Sequence, residues 1–375
     1  MPTRASYLDP SSDETYPLDE PRWRGRSGGP LMITPLAGIK KGDIRREVRS
    51  LWRYAASFPV PVDPVSLGEG CTPLIRHRWR GNDTLLKLEW FSPTGSFKDR
   101  GASVMISTLR KQGVRRVLED SSGNGGAAIA AYAAAAGMAV KVLVPESTPA
   151  SKVIQMRAYG AEIELVPGPR QATADEAVRQ SEHIFYASHN WQPLFLQGTK
   201  TLAYEIWEDL GFHAPDNVVT PLGAGSSVLG CHIGFGELLC SGMVQRVPRL
   251  FGVQPAHCAP LHASFAQNTE DPVETTILPT VAEGTAIAKP VRRREVLRAI
   301  RGTGGATVAI AEADIAAAAL ELARSGIYAE PTSAMAAAGL TRLLSEGRIT
   351  SSETTVLILT GTGLKAAQRY AELVG

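Results

Sequence analysis

The stretch Ser92-Pro93-Thr94-Gly95-Ser96-Phe97-Lys98-Asp99-Arg100-Gly101 sets one lysine between a turn built from Pro93 and Gly95 and an apolar run, 102–109, that reads as a helix. Lys98 then falls on the first turn of that helix. Unpaired backbone N–H groups and the positive end of the helix dipole crowd this turn, which disfavours the protonated amine and favours a nucleophilic one. A lysine that forms Schiff bases needs that property. By local physics alone a first-turn lysine is more often merely solvated, so the stretch has to be read with what surrounds it.

Upstream, Leu85-Leu86-Lys87-Leu88-Glu89 reads as a strand leading into the lysine loop. Downstream, helix and strand patterns alternate. A helix to Gly113 precedes a strand at 116–118, a helix at 127–136, a strand at 140–144, a helix at 151–159 and a strand at 162–166. A second alternating region starts near Gln197, with a helix at 199–210, a strand at 217–220, a glycine loop, a strand at 249–253 and a closing strand at 354–359. Such alternation implies right-handed crossovers and parallel sheets covered on both faces. The expected fold class is therefore α/β with two open parallel-sheet domains. A larger domain is expected over 51–90 and 188–375 and a smaller, mobile one over 91–187. Residues 1–50, rich in Pro, Gly and charge with little periodicity, are expected to wrap over the surface.

Composition excludes several classes. With 375 residues there is room for two domains and a large core, and a net charge of +2 argues against a dedicated nucleic-acid binder. Arg292-Arg293-Arg294 reads as a solvated helix end. No segment approaches the roughly 18 apolar residues of a membrane span, and the first residues lack an apolar signal core, so the expected location is the cytoplasm. Cys71, Cys231, Cys240 and Cys258 are scattered, without disulfide or metal-ligand spacing, which suits a reducing compartment.

Two glycine loops stand where strands hand over to helices. Asp120-Ser121-Ser122-Gly123-Asn124-Gly125-Gly126 is one, and ligands bind in such loops at the carboxyl ends of strands in open α/β sheets. The other is Pro221-Leu222-Gly223-Ala224-Gly225-Ser226-Ser227-Val228-Leu229-Gly230. A dinucleotide fingerprint would need glycine where Val228 stands, so a cup of backbone N–H groups for a phosphate fits better. Either loop could also be a turn shaped by glycine and nothing more.

Ser-Phe-Lys-Asp-Arg-Gly after Pro-Thr-Gly resembles the lysine motif of the tryptophan synthase β-like, or fold type II, pyridoxal-phosphate enzymes, and most closely that of threonine synthases. Leu51-Trp52-Arg53-Tyr54, Leu67-Gly68-Glu69-Gly70-Cys71-Thr72-Pro73-Leu74, Glu283-Gly284-Thr285-Ala286-Ile287-Ala288-Lys289-Pro290 and Glu330-Pro331-Thr332-Ser333-Ala334 are similar to further segments of that family. The resemblance implies pyridoxal 5'-phosphate as cofactor, carried by Lys98 as a Schiff base, with Lys98 also moving the substrate's protons. It assigns Asn124 to the cofactor's ring oxygen and Gly223, Ala224, Gly225, Ser226 and Ser227 to its phosphate. Ser121, Ser122 and Gly123 fall to the substrate carboxylate. Thr360, in Leu359-Thr360-Gly361-Thr362-Gly363, falls to the pyridine nitrogen, with Thr362 as the alternative. A hydroxyl there supports elimination or replacement over transamination.

The implied activity is a lyase of the threonine synthase type, converting O-phospho-L-homoserine to L-threonine, with a homodimer, an amino acid as small-molecule substrate, and no nucleic-acid or membrane partner expected. A dehydratase or ammonia-lyase acting on a β-substituted amino acid is the alternative. A chain that keeps the fold but has lost catalysis is a third, against which Lys98, Asn124 and the glycine loop argue. The pattern departs from threonine synthases at three places. Trp23-Arg24-Gly25-Arg26-Ser27-Gly28-Gly29 resembles the family's Cys-containing knuckle but has no cysteines, so no metal is expected there. Gly125 and Gly126 stand where threonine and serine hold the substrate. Phe195 stands where an arginine binds the substrate phosphate, and His189, Asn190 and Lys200 are candidates for polar contacts in its place.

Overall fold

Residues 5–375 are described by the computed structural model, and the chain divides into two compact units. The first comprises the chain up to Glu69, Ser92–Thr94 and Lys98–Thr199; the second comprises Gly70–Phe91, Gly95–Phe97 and Lys200–Gly375.

The first unit opens with three short antiparallel strands, β1 (Ser6–Leu8), β2 (Thr15–Pro17) and β3 (Met32–Ile33), in the order β2-β1-β3. They carry Tyr7, Tyr16 and Ile33 into the unit's core, alongside Leu18 and Leu31. Alternation too short to register as a pattern thus still buries one face. At the knuckle the Asp9 carboxylate is a centre of contacts. It accepts hydrogen bonds from Ser11 N at 3.0 Å, Ser11 Oγ at 2.6 Å and Ser27 Oγ at 2.5 Å, and it fills the space a Cβ on Gly25 would need.

Strands β4 (Leu74–Trp79) and β5 (Asn82–Leu88) come next and belong to the second unit. The chain then returns to the first with helix α1 (Lys98–Lys111), followed by β6 (Arg116–Glu119), α2 (Asn124–Ala135), β7 (Ala139–Pro145), α3 (Ala150–Ala158), β8 (Glu162–Val166), α4 (Arg170–Gln180), β9 (Phe185–Tyr186) and α5 (Pro193–Thr199). Its four-stranded sheet, order β8-β7-β6-β9, is wholly parallel. The alanines of α2 let it lie flat in the core: Ala127, Ala128, Ala130, Ala131 and Ala133 are buried with Met105, Ile106 and Leu109 of α1 and Val117, Val140 and Val142 of the sheet. Burial on every side from Gly125 to Ala133 explains why α2 shows almost no polar face.

One buried carboxylate joins the two entry motifs. Glu69 accepts from Trp52 Nε1 at 3.0 Å, Ser103 Oγ at 2.7 Å, Tyr132 OH at 2.7 Å and Leu67 N at 2.8 Å. A fully buried charge requires such partners, so the Leu-Trp-Arg-Tyr and Leu-Gly-Glu-Gly segments are physically one device.

The second unit continues with α6 (Thr201–Asp209), β10 (Asn217–Pro221), α7 (Ser226–Cys240), β11 (Arg249–Pro255), α8 (Pro260–Ala266), α9 (Arg293–Gly302), β12 (Ala306–Ile310), α10 (Glu312–Arg324), α11 (Pro331–Ser345), β13 (Thr355–Leu359) and α12 (Ala367–Val374). Its six strands run β12-β11-β10-β13-β5-β4, parallel except for the β4–β5 hairpin. Central strands such as β10 and β13 are buried throughout, as near-continuous apolar runs in parallel sheets are. Lys87 of β5 is fully buried and pairs with Glu205 Oε1 at 2.8 Å and Asp209 Oδ2 at 2.7 Å. Glu205 also accepts from the N–H groups of Cys71 and Thr72, which ties the Gly-Cys-Thr-Pro turn to α6.

Two readings of the sequence change here. Arg292 is not part of a solvated helix end: it is 2% exposed, at the N-cap of α9, and burial lowers its pKa to about 10 while Glu295 opposes the shift. The helix expected from Ala127 starts at Asn124, so Asn124 is the first helical residue and not a loop residue. Among the described residues no helix is long and apolar enough to cross a membrane, and no group of three His, Cys, Asp or Glu side chains converges as a metal site.

Candidate active site

In the first unit, Lys98 is the first residue of α1. The turn before the helix is held by Asp99, whose carboxylate accepts from Thr94 N at 2.7 Å and Thr94 Oγ1 at 2.5 Å. The Lys98 Nζ stands 5.6 Å from the centre of the Phe195 ring. Phe195 is fully buried, and its ring lies where a Cβ on Gly101 would be, 2.5 Å from three ring carbons. The aromatic side chain therefore forms the floor beside the lysine, in van der Waals contact with the glycine of the Lys-Asp-Arg-Gly motif.

Ser121, Ser122 and Gly123 connect β6 to α2, and Asn124 opens the helix. Ser121 and Ser122 are partly buried and Gly123 is exposed, so backbone groups at this helix start are reachable from solution. The two glycines that follow are explained by close approach. A Cβ on Gly126 would strike the Ser121 carbonyl oxygen, and one on Gly125 would lie 2.6 Å from the His189 ring.

Behind this loop lies a buried polar cluster. Glu119 Oε1 is 2.9 Å from His189 Nδ1, and Glu119 Oε2 accepts from His189 N at 3.1 Å. Asp120 pairs with Arg170 at 2.9 Å and accepts from Ser188 Oγ at 3.3 Å. Burial, reinforced by the charge of Asp120, pushes Glu119 up to about 8. Burial would raise Asp120 too, but the Arg170 guanidinium outweighs it and holds that carboxyl below its ordinary value. Burial, and then the Lys98 charge, hold the His189 imidazole well below its usual range, so it is neutral at pH 7.

In the second unit, the loop between β10 and α7 is built by glycine. Gly225 has φ 91°, and a Cβ there would strike Val296; a Cβ on Gly223 would lie 3.2 Å from Thr285 Cα. Only glycine permits this turn, which delivers the backbone to the N-terminus of the 15-residue helix α7 at Ser226. Gly223, Ala224, Gly225, Ser226 and Ser227 thus form a cradle whose donor chemistry suits a phosphate. Ser227 Oγ lies 2.9 Å from Thr220 Oγ1, which fixes that hydroxyl against the strand.

Thr360 follows β13 and is 3% exposed. Its hydroxyl lies 2.9 Å from Ser333 Oγ and 3.4 Å from Glu330 Oε1. Thr362 instead accepts from Leu364 N at 3.3 Å, capping a turn. Ser96 bridges to Gly361, and Phe97 N donates to Thr360 O at 3.0 Å, so the chain leaves the Thr360 loop one residue before Lys98. Glu330 and Ser333 belong to a segment that resembles the family's, whereas Glu119 went unassigned in the sequence as a contact residue. The signal available for Glu119 was an acidic pair, Glu119-Asp120, at the carboxyl end of a strand.

A two-sheet α/β chain with a lysine opening one helix and a glycine cradle opening another has the architecture of the tryptophan synthase β-like, fold type II enzymes. Comparison with known proteins agrees: residues 65–361 match the family model described as pyridoxal-phosphate dependent enzyme, and the chain belongs to that family. It is a pyridoxal-phosphate-dependent lyase, similar to threonine synthases. The threonine synthase of Methanocaldococcus jannaschii is 35% identical over 96% of this chain and 93% of that protein. That of Methanosarcina acetivorans is 34% identical over 88% and 84%. Among solved structures, the processed threonine deaminase isoform 2 of Solanum lycopersicum superposes with a TM-score of 0.68 over 81% of this chain and 88% of that one, at 24% identity, a likeness of fold.

Proposed function

We propose that this lyase carries out elimination or replacement at the β or γ carbon of an L-amino acid, with O-phospho-L-homoserine as substrate and L-threonine as product. The observation that carries the reading is the near full-length match, in both chains, to the Methanocaldococcus jannaschii threonine synthase. The cofactor, when bound, supplies an electron-poor ring that spreads the negative charge left at the substrate's α carbon. Lys98 would hold it covalently, with Asn124 at its ring oxygen, Gly223, Ala224, Gly225, Ser226 and Ser227 at its phosphate, and Thr360 at its ring nitrogen. Ser121, Ser122 and Gly123 would hold the substrate carboxylate, and Lys98 Nζ would take the α-proton. The Ser333 hydroxyl shares a hydrogen bond with that of Thr360, 2.9 Å away.

A second reading has specific support. The resemblance sets Phe195, a buried phenyl ring, where threonine synthases carry a phosphate-binding arginine, and Gly125 and Gly126 offer no hydroxyls. Both favour loss of a hydroxyl or amino group from a β-substituted amino acid, releasing a keto acid and ammonia. The deciding experiment incubates cofactor-loaded protein with O-phospho-L-homoserine and follows phosphate and threonine together. Stoichiometric formation of both supports the first reading. Failure there, with keto acid and ammonia from L-serine or L-threonine, supports the second. We further propose a cytoplasmic homodimer, on the family resemblance alone, which light scattering and cell fractionation test.

A further inference from the structure

His189 is 93% buried, yet among the described residues its Nε2 has no hydrogen-bond partner. The rest of the ring is firmly held. Glu119 grips both Nδ1 and the backbone N–H of His189, and Phe195 meets the imidazole edge to face, with centroids 5.8 Å apart. The same Phe195 ring stands 5.6 Å from Lys98 Nζ, so lysine and imidazole flank one aromatic floor. The imidazole also lies over Gly125, in the volume a side chain there would need, its Nε2 3.0 Å from the position of a Cβ.

From this geometry we infer that His189 is a specificity-determining residue: it makes the substrate contact that a side chain at position 125 would otherwise make, presenting Nε2 to an oxygen substituent on the β or γ carbon of the amino acid. The inference rests on the proposed function and deepens it. The class of ligand follows from the proton inventory of the cluster. Glu119, protonated at neutral pH because it is buried beside Asp120, donates from Oε1 to Nδ1, which leaves the N–H on Nε2. A neutral N–H donor suits a hydroxyl or ester oxygen. The bond between Glu119 Oε1 and Nδ1 keeps the ring from turning over. Lys98, Asp120 and Arg170 supply the remaining charges felt by the ring.

The test uses the cofactor-loaded protein and reads the change in cofactor absorbance as an amino acid binds. L-threonine and L-homoserine carry the oxygen at the β and γ carbon; L-2-aminobutyrate has the same chain start without it. Wild type is expected to bind one of the oxygen-bearing pair about tenfold more tightly than L-2-aminobutyrate, the scale of one hydrogen bond in a dry site. His189→Leu should bring that ratio close to one while cofactor loading is retained, and His189→Ala with Gly125→Ser should restore part of it. If His189→Leu does not fold, His189→Asn, which keeps a polar atom toward Glu119 and none at Nε2, is read in the same way. An unchanged ratio in the variant, or no preference in wild type, overturns the inference and leaves the proposed function standing. No absorbance change with any amino acid overturns the proposed function, and the inference with it.

Discussion

A methyl group added at Gly101 tests whether the contact between α1 and α5 shapes the surroundings of the lysine. Gly101 lies inside α1, so on backbone grounds alanine should stabilise the helix by about 1 kcal/mol. The added Cβ would lie 2.5 Å from Cδ1, Cδ2 and Cε1 of Phe195, whereas carbon atoms rest about 3.5–4.0 Å apart. The ring must retreat by about 1 Å, and it is fully buried in a close-packed core. Gly198 holds the same helix pair from the other side, since a Cβ there would strike the Arg100 carbonyl oxygen. Overpacking of this kind costs about 1–3 kcal/mol, and three simultaneous ring contacts place it at the upper end. Gly101→Ala is therefore expected to destabilise the first unit by about 2 kcal/mol net, against its helix propensity. Phe195→Leu removes the ring, so in the double variant most of that loss should be recovered, a coupling of about 1–2 kcal/mol. Hydrogen exchange of the 98–111 peptide against urea measures this locally and avoids treating a two-unit chain as a single transition. Equal or greater protection in Gly101→Ala, or strict additivity with Phe195→Leu, would refute the packing argument.

Two other perturbations test separate parts of the molecule. Asp9→Ala leaves Ser11 N, Ser11 Oγ and Ser27 Oγ without their acceptor and should lower exchange protection over 6–33 by about 1–3 kcal/mol, whereas a chelator should change nothing and elemental analysis should find no stoichiometric zinc. The Glu119 cluster predicts a pH window. Glu119 rises from its ordinary 4.5 to about 8 on folding, so over that range the native state holds a proton the unfolded chain has released, and stability falls as pH rises. His189 is depressed below 6.5, so its contribution is lost as pH falls under that value and opposes the first. Between about pH 6.5 and 8 only Glu119 acts, and exchange protection of the β6 peptide should drop by about 1.4 kcal/mol per pH unit, the value for one proton. Glu119→Gln should flatten that slope; an unchanged slope would show that another group sets it.

What could be read from the sequence, and what could not, follows the range of the interactions involved. The start of α1 at Lys98, the α/β alternation of 116–166 and the strand after Asp216 are local matters of turn residues and apolar period, and the fold has an element at each. The strands of the N-terminal segment were invisible because each is two or three residues long, too short to alternate detectably, and their burial depends on helices far along the chain. Arg292 reads as solvated because three successive arginines ordinarily are, and nothing nearby in sequence announces that only the first of them is enclosed. The same limit governs the site. Gly125 and Gly126 looked like a loss of substrate contacts when compared with threonine synthases position by position. In three dimensions Gly125 is the complement of His189, which lies 64 positions on in the sequence and is itself gripped by Glu119 across 70. A glycine and a histidine that exchange one volume leave no mark on periodicity or local propensity. Only their contact in the fold shows that the glycine at 125 and the histidine beyond it share one place.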